Sequence, residues 1–188
     1  SDPVINMKEF LIKKKKNFFP LELINTKNII GIGRLTKQKN FKLLINFFIN
    51  ISKKHKDIHL VIIGEGEENE ALKKIILKAN IENRVHLMGY QENVFKFLIR
   101  AQCFILSSLW EDPGFVLVEA ALSNTSIISS NCPNGPKEII QNNGYLFENN
   151  NIDNLEIKFE EFLKVSENSI HQNKLELKKR RRMFTQYN

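Results

Sequence analysis

An alternation of short apolar runs with longer helical periods, from Asn28 to Phe147, constrains the fold of this chain more than any other feature. Such alternation is typical of βαβ units, in which helices connect the parallel strands of one sheet. The apolar runs predict six strands, over residues 28–33, 58–63, 84–88, 103–107, 126–129 and 144–147. Right-handed crossovers would join them into an α/β fold, a Rossmann-like, doubly wound, mostly parallel sheet with flanking helices.

Between the strands, apolar residues recur at spacings of three and four, as they do on one face of a helix. In the first such segment these residues are Leu44, Phe47, Phe48 and Ile51. The periodicity predicts helices over residues 41–55, 69–79, 94–100, 115–122 and 136–141, and two more within 153–187. Residues 1–27 show no clear strand and contain two prolines, so we interpret them as an interdomain linker that precedes one domain over residues 28–188.

The composition is that of a globular protein, with 42% hydrophobic and 26% charged residues. No run approaches the roughly eighteen apolar residues that span a bilayer, and residues 1–10 lack the pattern of a secretory signal. Cys103 and Cys132 are the two cysteines, and their surroundings do not suggest a disulfide framework. These features together predict a cytoplasmic protein.

The formal net charge of +7 comes mostly from two basic clusters, residues 13–16 and 178–182. Terminal basic runs are most often solvated surfaces, and that is our first interpretation. Peripheral contact with anionic lipid at the inner face of the membrane is the second, because Phe18, Phe19, Met183 and Phe184 lie nearby. Nucleic acid is not expected as a partner, since no DNA- or RNA-binding module lies between the clusters.

In doubly wound sheets, ligands bind at the carboxyl ends of the strands. This rule selects the loops that follow Gly33, Ile63, Met88 and Ser107. In the first loop, the cations of Arg34 and Lys39 are spaced to close on one polyanion, although an ordinary surface loop explains them equally well. In the second loop, over residues 64–68, three carboxylates would repel a pyrophosphate, so we interpret it as a turn that begins a helix.

The segment over residues 107–120 is the most informative. A strand leads through Gly114 into a helix, whose first N–H groups offer an anion site that glycine leaves accessible. Glu119 lies within an apolar run that we expect to be buried, where a lone carboxylate needs hydrogen-bond partners. The hydroxyl groups of a sugar or a ribose would serve, and so would a structural Arg or Lys.

This segment resembles the retaining glycosyltransferases of family 4, whose hallmark is two glutamates with seven residues between them. Glu111 and Glu119 have that spacing. Further segments are similar to motifs of the family in the same order along the chain: residues 2–4 (the interdomain linker), 33–39 (the diphosphate loop), 84–90 (the base-binding strand end) and 132–140. The resemblance covers nearly the whole chain and implies one half of a GT-B fold, the half that binds the nucleotide sugar.

The resemblance implies a role for each matching residue. In the loop that begins at Gly33, Arg34 and Lys39 neutralise the donor's diphosphate. The distal phosphate meets the backbone at the start of the following helix, at Gly114, Phe115 and Val116. No metal and no other cofactor are expected, since cations and a helix N-terminus stabilise the leaving diphosphate in this fold.

The two glutamates receive different roles. Glu111, the candidate catalytic residue, holds hydroxyls of the transferred sugar, whereas Glu119 bonds the ribose. Gly89 and Tyr90 lie beside the base of the nucleotide, and uridine diphosphate is the favoured nucleotide because most of the family uses it. Asn40 stands where the family most often has glycine, which should matter little at a helix-capping position.

The resemblance also implies a second, amino-terminal domain that binds the acceptor, and no segment of this sequence resembles it. The chain is therefore expected to be the donor-binding part of a transferase that acts on a cell-surface glycan or a lipid-linked acceptor, and to be inactive alone. A non-catalytic nucleotide-binding module and a GT-B epimerase relative are the alternatives.

These roles carry two expectations for variants. Substitution of Arg34 or Lys39, both assigned to a surface loop, should weaken nucleotide binding without changing the stability of the ligand-free protein. Substitution of Glu111 by Gln should leave the affinity for a nucleoside diphosphate nearly intact, because that residue contacts only the sugar.

Overall fold

The computed structural model of the chain describes residues 20, 23–111 and 114–165. Its strands are β1 (Lys27–Ile32), β2 (Ile58–Ile63), β3 (Val85–Leu87), β4 (Cys103–Leu106), β5 (Ile127–Ser130) and β6 (Tyr145–Phe147). They form one sheet in the order β3-β2-β1-β4-β5-β6, and every neighbouring pair is parallel. The predicted Rossmann-like sheet is confirmed, and it is parallel throughout.

The helices follow the predicted pattern; the first, second, third and fifth are shorter than predicted, and the fourth has the predicted bounds. They are α1 (Phe41–Ile51), α2 (Asn69–Lys78), α3 (Phe95–Leu98), α4 (Phe115–Leu122), α5 (Pro136–Ile140) and α6 (Ile152–Lys164). Helix α1 ends before the predicted residue 55 because Arg84 holds the chain that follows it. The Arg84 guanidinium donates to the carbonyls of Ser52 at 3.0 Å and His55 at 2.6 Å, so the backbone turns there into β2.

The sheet separates two apolar cores, and neighbouring residues of one strand point to opposite sides. Ile29 packs with α1, α2 and α6, whereas Ile30 packs with α3, α4 and α5. A sheet buried on both faces explains why the strands read as continuous apolar runs rather than as alternating ones.

The beginning of the domain differs slightly from the prediction. Strand β1 begins at Lys27, which we had assigned to the linker, and Leu23 is already buried in the α4 core. The two basic clusters and the second helix predicted within 153–187 lie outside the described residues. Within the described ranges, no helix is both long and apolar enough to cross a membrane.

The sheet order places the candidate site. Strands β1 and β4 are neighbours at the centre, but the helices that follow them, α1 and α4, pack on opposite faces of the sheet. Their connecting loops therefore diverge and leave a crevice at the carboxyl end, the position where doubly wound sheets bind ligands. Two of the four predicted loops, those after Gly33 and Ser107, border this crevice.

Candidate functional site

Lys39 and Glu111, which lie 72 residues apart in the sequence, form an ion pair in the crevice. The Lys39 Nζ atom lies 2.7 Å from each carboxylate oxygen of Glu111. The two side chains are only 15% and 3% exposed. Two residues predicted separately, one for a diphosphate and one for a sugar, are thus direct partners in this structure.

The β1 loop delivers Lys39 through a single 3-10 turn over Lys37–Lys39. The Lys39 stem then runs back over Gly33, where a Cβ atom would come within 3.3 Å of the lysine Cγ and Cδ atoms. Gly33 therefore gives the lysine room to cross the end of β1 and reach the β4 loop. This steric role was not predicted from the sequence.

Asn40 joins this turn to α1 in the left-handed conformation, with φ 50° and ψ 43°. Asparagine tolerates that conformation better than most residues, and glycine adopts it most easily. The expectation of a helix-capping residue is only partly right, since the Asn40 side chain makes no capping bond to α1. It donates instead to the Asn150 Oδ1 atom, at 3.0 Å.

Serine hydroxyls hold both members of the pair. Ser108 donates to the Glu111 Oε1 atom, and Ser107 donates to the Lys39 carbonyl at 2.8 Å. Ser130, at the end of β5, donates to the Ser108 carbonyl at 2.6 Å. We call Lys39, Ser107, Ser108, Glu111 and Ser130 the switch-point cluster. Sequence analysis missed the serines, although their position at strand carboxyl ends was the available signal.

Three further hydrogen bonds fix the backbone just before Glu111. Leu109 donates its N–H to the Gln38 carbonyl at 2.8 Å, and Gln38 in turn donates from Nε2 to the Trp110 carbonyl at 3.0 Å. Asn149, in the loop after β6, donates to the Leu109 carbonyl at 2.9 Å. Three loops are thus bound together around the pair, which restricts its geometry before any ligand arrives.

Arg34 does not join the cluster. Its side chain is exposed, and within the described part of the chain its guanidinium makes no hydrogen bond or ion pair. Of the two cations predicted for the diphosphate, the structure therefore places one in an ion pair and leaves the other exposed.

Helix α4 begins next to the cluster. Gly114 precedes it in the left-handed conformation, with φ 72°, and no side chain caps the helix. The N–H groups of Phe115 and Val116, in the first helical turn, have no partner within the helix. Such groups attract anions. Glu119, one turn further on, is half-buried rather than buried as predicted, and Glu111 is the deeply buried carboxylate.

Gly89 and Tyr90 follow β3, at the outer side of the same sheet edge, and we call them the β3 loop. The Gly89 carbonyl accepts the N–H of Gly64 at 2.9 Å, and the Tyr90 N–H donates to the Glu65 Oε1 atom at 3.2 Å. The Tyr90 side chain is 70% exposed. In contrast to the switch-point cluster, this loop is open to solvent.

A pocket of about 400 Å³ borders the β3 loop. It is lined by Gly64, Glu65, Gly66, Asn69, Lys73, Leu87 and Gly89. Leu87 packs against the core on the α1 side, so this pocket opens towards α2, on the opposite face of the sheet from α4. None of its lining residues belongs to the switch-point cluster.

Cys132 is a buried cysteine close to the cluster. Burial raises the pKa of its thiol, because the charged thiolate would lose hydration there. Among the described residues, no three His, Cys, Asp or Glu side chains are grouped so that they could hold a metal ion. A reaction without a metal remains a prediction.

Comparison with known proteins places this arrangement in a family. The model of the family described as "Glycosyl transferases group 1" matches residues 13–183. An uncharacterised glycosyltransferase of Methanocaldococcus jannaschii is 40% identical over 132 residues, which are 70% of this chain and 32% of the relative. A poly(ribitol-phosphate) alpha-N-acetylglucosaminyltransferase of Staphylococcus aureus is 32% identical over 133 residues, 69% of this chain and 27% of that protein.

Two solved structures are similar over most of the described domain. TarM of S. aureus, solved in a complex that includes UDP, has a TM-score of 0.77 and 26% identity, over 85% of this chain and 33% of TarM. The C-terminal domain of a group 1 glycosyl transferase (LpcC) from Francisella tularensis has a TM-score of 0.70 and 26% identity, over 82% of this chain and 85% of that domain. The chain spans about a third of the length of the curated relatives it matches.

Proposed function

The chain belongs to the glycosyl transferases group 1 family, and on that premise we propose that its domain binds the donor of a retaining glycosyltransferase. The donor is a nucleoside-diphosphate sugar, with UDP as the favoured nucleotide, and the acceptor is a cell-surface glycan or a lipid-linked glycan. The observation that carries the proposal is the Lys39–Glu111 pair beside the start of α4, in the central crevice of the sheet.

Cleavage of a glycosyl–phosphate bond leaves a diphosphate whose negative charge must be stabilised. The ammonium of Lys39, the accessible guanidinium of Arg34 and the first N–H groups of α4 supply positive charge around one crevice. Preorganised donors of this kind do not have to reorient when charge develops, which is why the bracing of the loops supports a catalytic role.

The remaining assignments are those that the resemblance to the family implies. Glu111, in the crevice, contacts hydroxyls of the transferred sugar, and Glu119, one turn into α4, bonds the ribose. Gly89 and Tyr90 lie beside the base. Strand β3 is two strands away from β1, a separation of about 10 Å at the usual strand spacing. A nucleoside diphosphate is long enough to reach from the crevice to the β3 loop.

Because the chain spans about a third of its relatives, we place acceptor binding on a second domain that packs over the crevice. Glycosyl transfer then needs both domains. The domain described here binds the donor, stabilises the leaving diphosphate and supplies Glu111. A similar protein that holds UDP, TarM, supports the choice of donor nucleotide.

Calorimetry with the 188-residue chain tests this function. Titration with UDP, GDP and ADP should show weak binding of at least one of them, and UDP-N-acetylglucosamine should give no transfer to water or to a glycan. The matched control is Lys53→Ala, an exposed lysine after α1 at the opposite edge of the sheet, which should bind like the wild type. Binding of none of the three diphosphates, or robust glycosyl transfer by this chain alone, would contradict the proposal.

A further inference from the structure

The ion pair of the switch-point cluster has a consequence for the charge of the crevice. The Lys39 ammonium carries three N–H donors, and the two Glu111 oxygens lie at hydrogen-bonding distance from it. The positive charge of Lys39 is therefore balanced by a carboxylate that is almost fully buried. Before a ligand arrives, Arg34 and Lys37 are the uncompensated cations of this loop within the described residues.

A diphosphate that enters such a crevice must compete for Lys39. It can take the third N–H, or displace one carboxylate oxygen, but in either case it comes close to the negative charge of Glu111. Like charges brought together at a site with little water repel each other more strongly than they do in bulk solvent. The carboxylate thus opposes a bare diphosphate, even though it belongs to the same site.

An intact nucleotide sugar relieves this opposition. Its sugar hydroxyls can donate hydrogen bonds to Glu111 and replace those that Lys39 gives up. Its diphosphate also carries one negative charge fewer than the free nucleoside diphosphate at neutral pH, since one phosphate oxygen is esterified by the sugar. The Lys39–Glu111 pair therefore opposes binding of the nucleoside diphosphate product more than binding of the intact donor.

We infer that Glu111, through its ion pair with Lys39, is a specificity-determining residue that favours the intact nucleotide sugar over the nucleoside diphosphate product. This inference rests on the proposed function of the crevice. In such a site the leaving diphosphate is held while the sugar is transferred, and it is expelled once the sugar no longer satisfies Glu111. The pair thus limits product inhibition.

The inference reverses the expectation from the sequence. If Glu111 touches only the sugar, Glu111→Gln leaves the affinity for a nucleoside diphosphate unchanged. If Glu111 also neutralises Lys39 and occupies its N–H donors, the same substitution makes UDP bind more tightly. The increase should be about tenfold, for one additional charge-assisted hydrogen bond from the ammonium to the diphosphate. Glutamine has the shape of glutamate, and Ser108 can still donate to its amide oxygen, so the fold should persist.

The test is a titration of the wild type, Glu111→Gln, Lys39→Ala and the double variant with UDP and with UDP-N-acetylglucosamine. Glu111→Gln should bind UDP about tenfold more tightly than the wild type and prefer the sugar conjugate less. In the Lys39→Ala background, Glu111→Gln should change the UDP affinity by less than about threefold, because no ammonium is left for the substitution to release. Melting curves without ligand establish that each variant is folded, and Glu111→Ala, which removes the same charge, should shift the UDP affinity in the same direction.

The outcomes separate this inference from the proposed function. A wild type that binds no nucleoside diphosphate contradicts both. A wild type that binds UDP, together with a folded Glu111→Gln variant that binds it equally or more weakly, overturns the inference and leaves the donor site standing. An equal increase in affinity from Glu111→Gln with and without Lys39 would show that the carboxylate acts by repulsion alone and would overturn the role of the pair.

Discussion

The switch-point cluster and the β3 loop lie at the same edge of the sheet, yet they are built in different ways. In the cluster, side-chain hydrogen bonds to other side chains and to the backbone join neighbouring loops, and the Glu111 carboxylate is 3% exposed. At the β3 loop, Gly89 and Tyr90 bond through their backbone to Gly64 and Glu65, and the Tyr90 side chain is 70% exposed. Under the proposed function, the reacting end of the donor lies in a braced crevice, whereas the base contacts a solvent-exposed surface.

Lys39→Ala should have the largest effect on the ligand-free protein. It leaves the Glu111 carboxylate buried without its counter-ion, and the loss of one partner of a buried pair costs about 3 kcal/mol of unfolding free energy. Urea denaturation measures this loss, with Lys53→Ala as the exposed control. The burial of Lys39 revises the expectation that it belongs to a surface loop, because its side chain is only 15% exposed. An unchanged stability would mean that the pair is not formed in solution.

Arg34→Ala should separate affinity from stability. The side chain is exposed and within the described residues makes no bond, so the unfolding free energy should change by less than about 0.5 kcal/mol. Affinity for UDP should fall by about 1.5–3 kcal/mol, as for the loss of a charged hydrogen bond to phosphate. Calorimetry and denaturation on the same sample give both numbers. A stability loss with intact affinity would make Arg34 a structural residue.

Glu65→Gln should have the smallest effect, because the Glu65 side chain is exposed and contacts the β3 loop rather than the switch-point cluster. The amide oxygen can still accept the Tyr90 N–H, so unfolding free energy should change by less than about 0.5 kcal/mol. The UDP affinity should shift by less than about threefold, since the substituted charge is exposed and screened by solvent. A change of unfolding free energy above about 1 kcal/mol would show that the β3 loop is as tightly built as the cluster.

The sequence predicts the fold well because its strands are buried on both faces. Continuous apolar runs such as residues 58–63 mark parallel strands, and the start and end of α4 match the prediction. The carboxyl-end rule then selects the crevice without any knowledge of a family, because it depends on the direction of the strands and not on the identity of the loop residues.

The partnership of Lys39 and Glu111 could not be predicted in the same way. The two residues are separated by 72 positions, and the resemblance assigned each of them to the ligand rather than to the other. Their contact depends on the path of the lysine stem over Gly33 and on the left-handed turn at Asn40. The serine and asparagine braces depend on side-chain geometry, which has no periodic pattern in a sequence.

A nuclear magnetic resonance titration of the 188-residue chain with UDP tests the central claim most directly, because each backbone amide reports separately. We predict that the largest shifts fall at Lys39, Phe115 and Val116 in the crevice and at Tyr90 in the β3 loop, and that amides at the opposite edge, such as Lys53 and Thr125, do not move. Shifts confined to Asn69 and Lys73 in the pocket beside α2, with the crevice amides unchanged, would contradict the donor site assigned here.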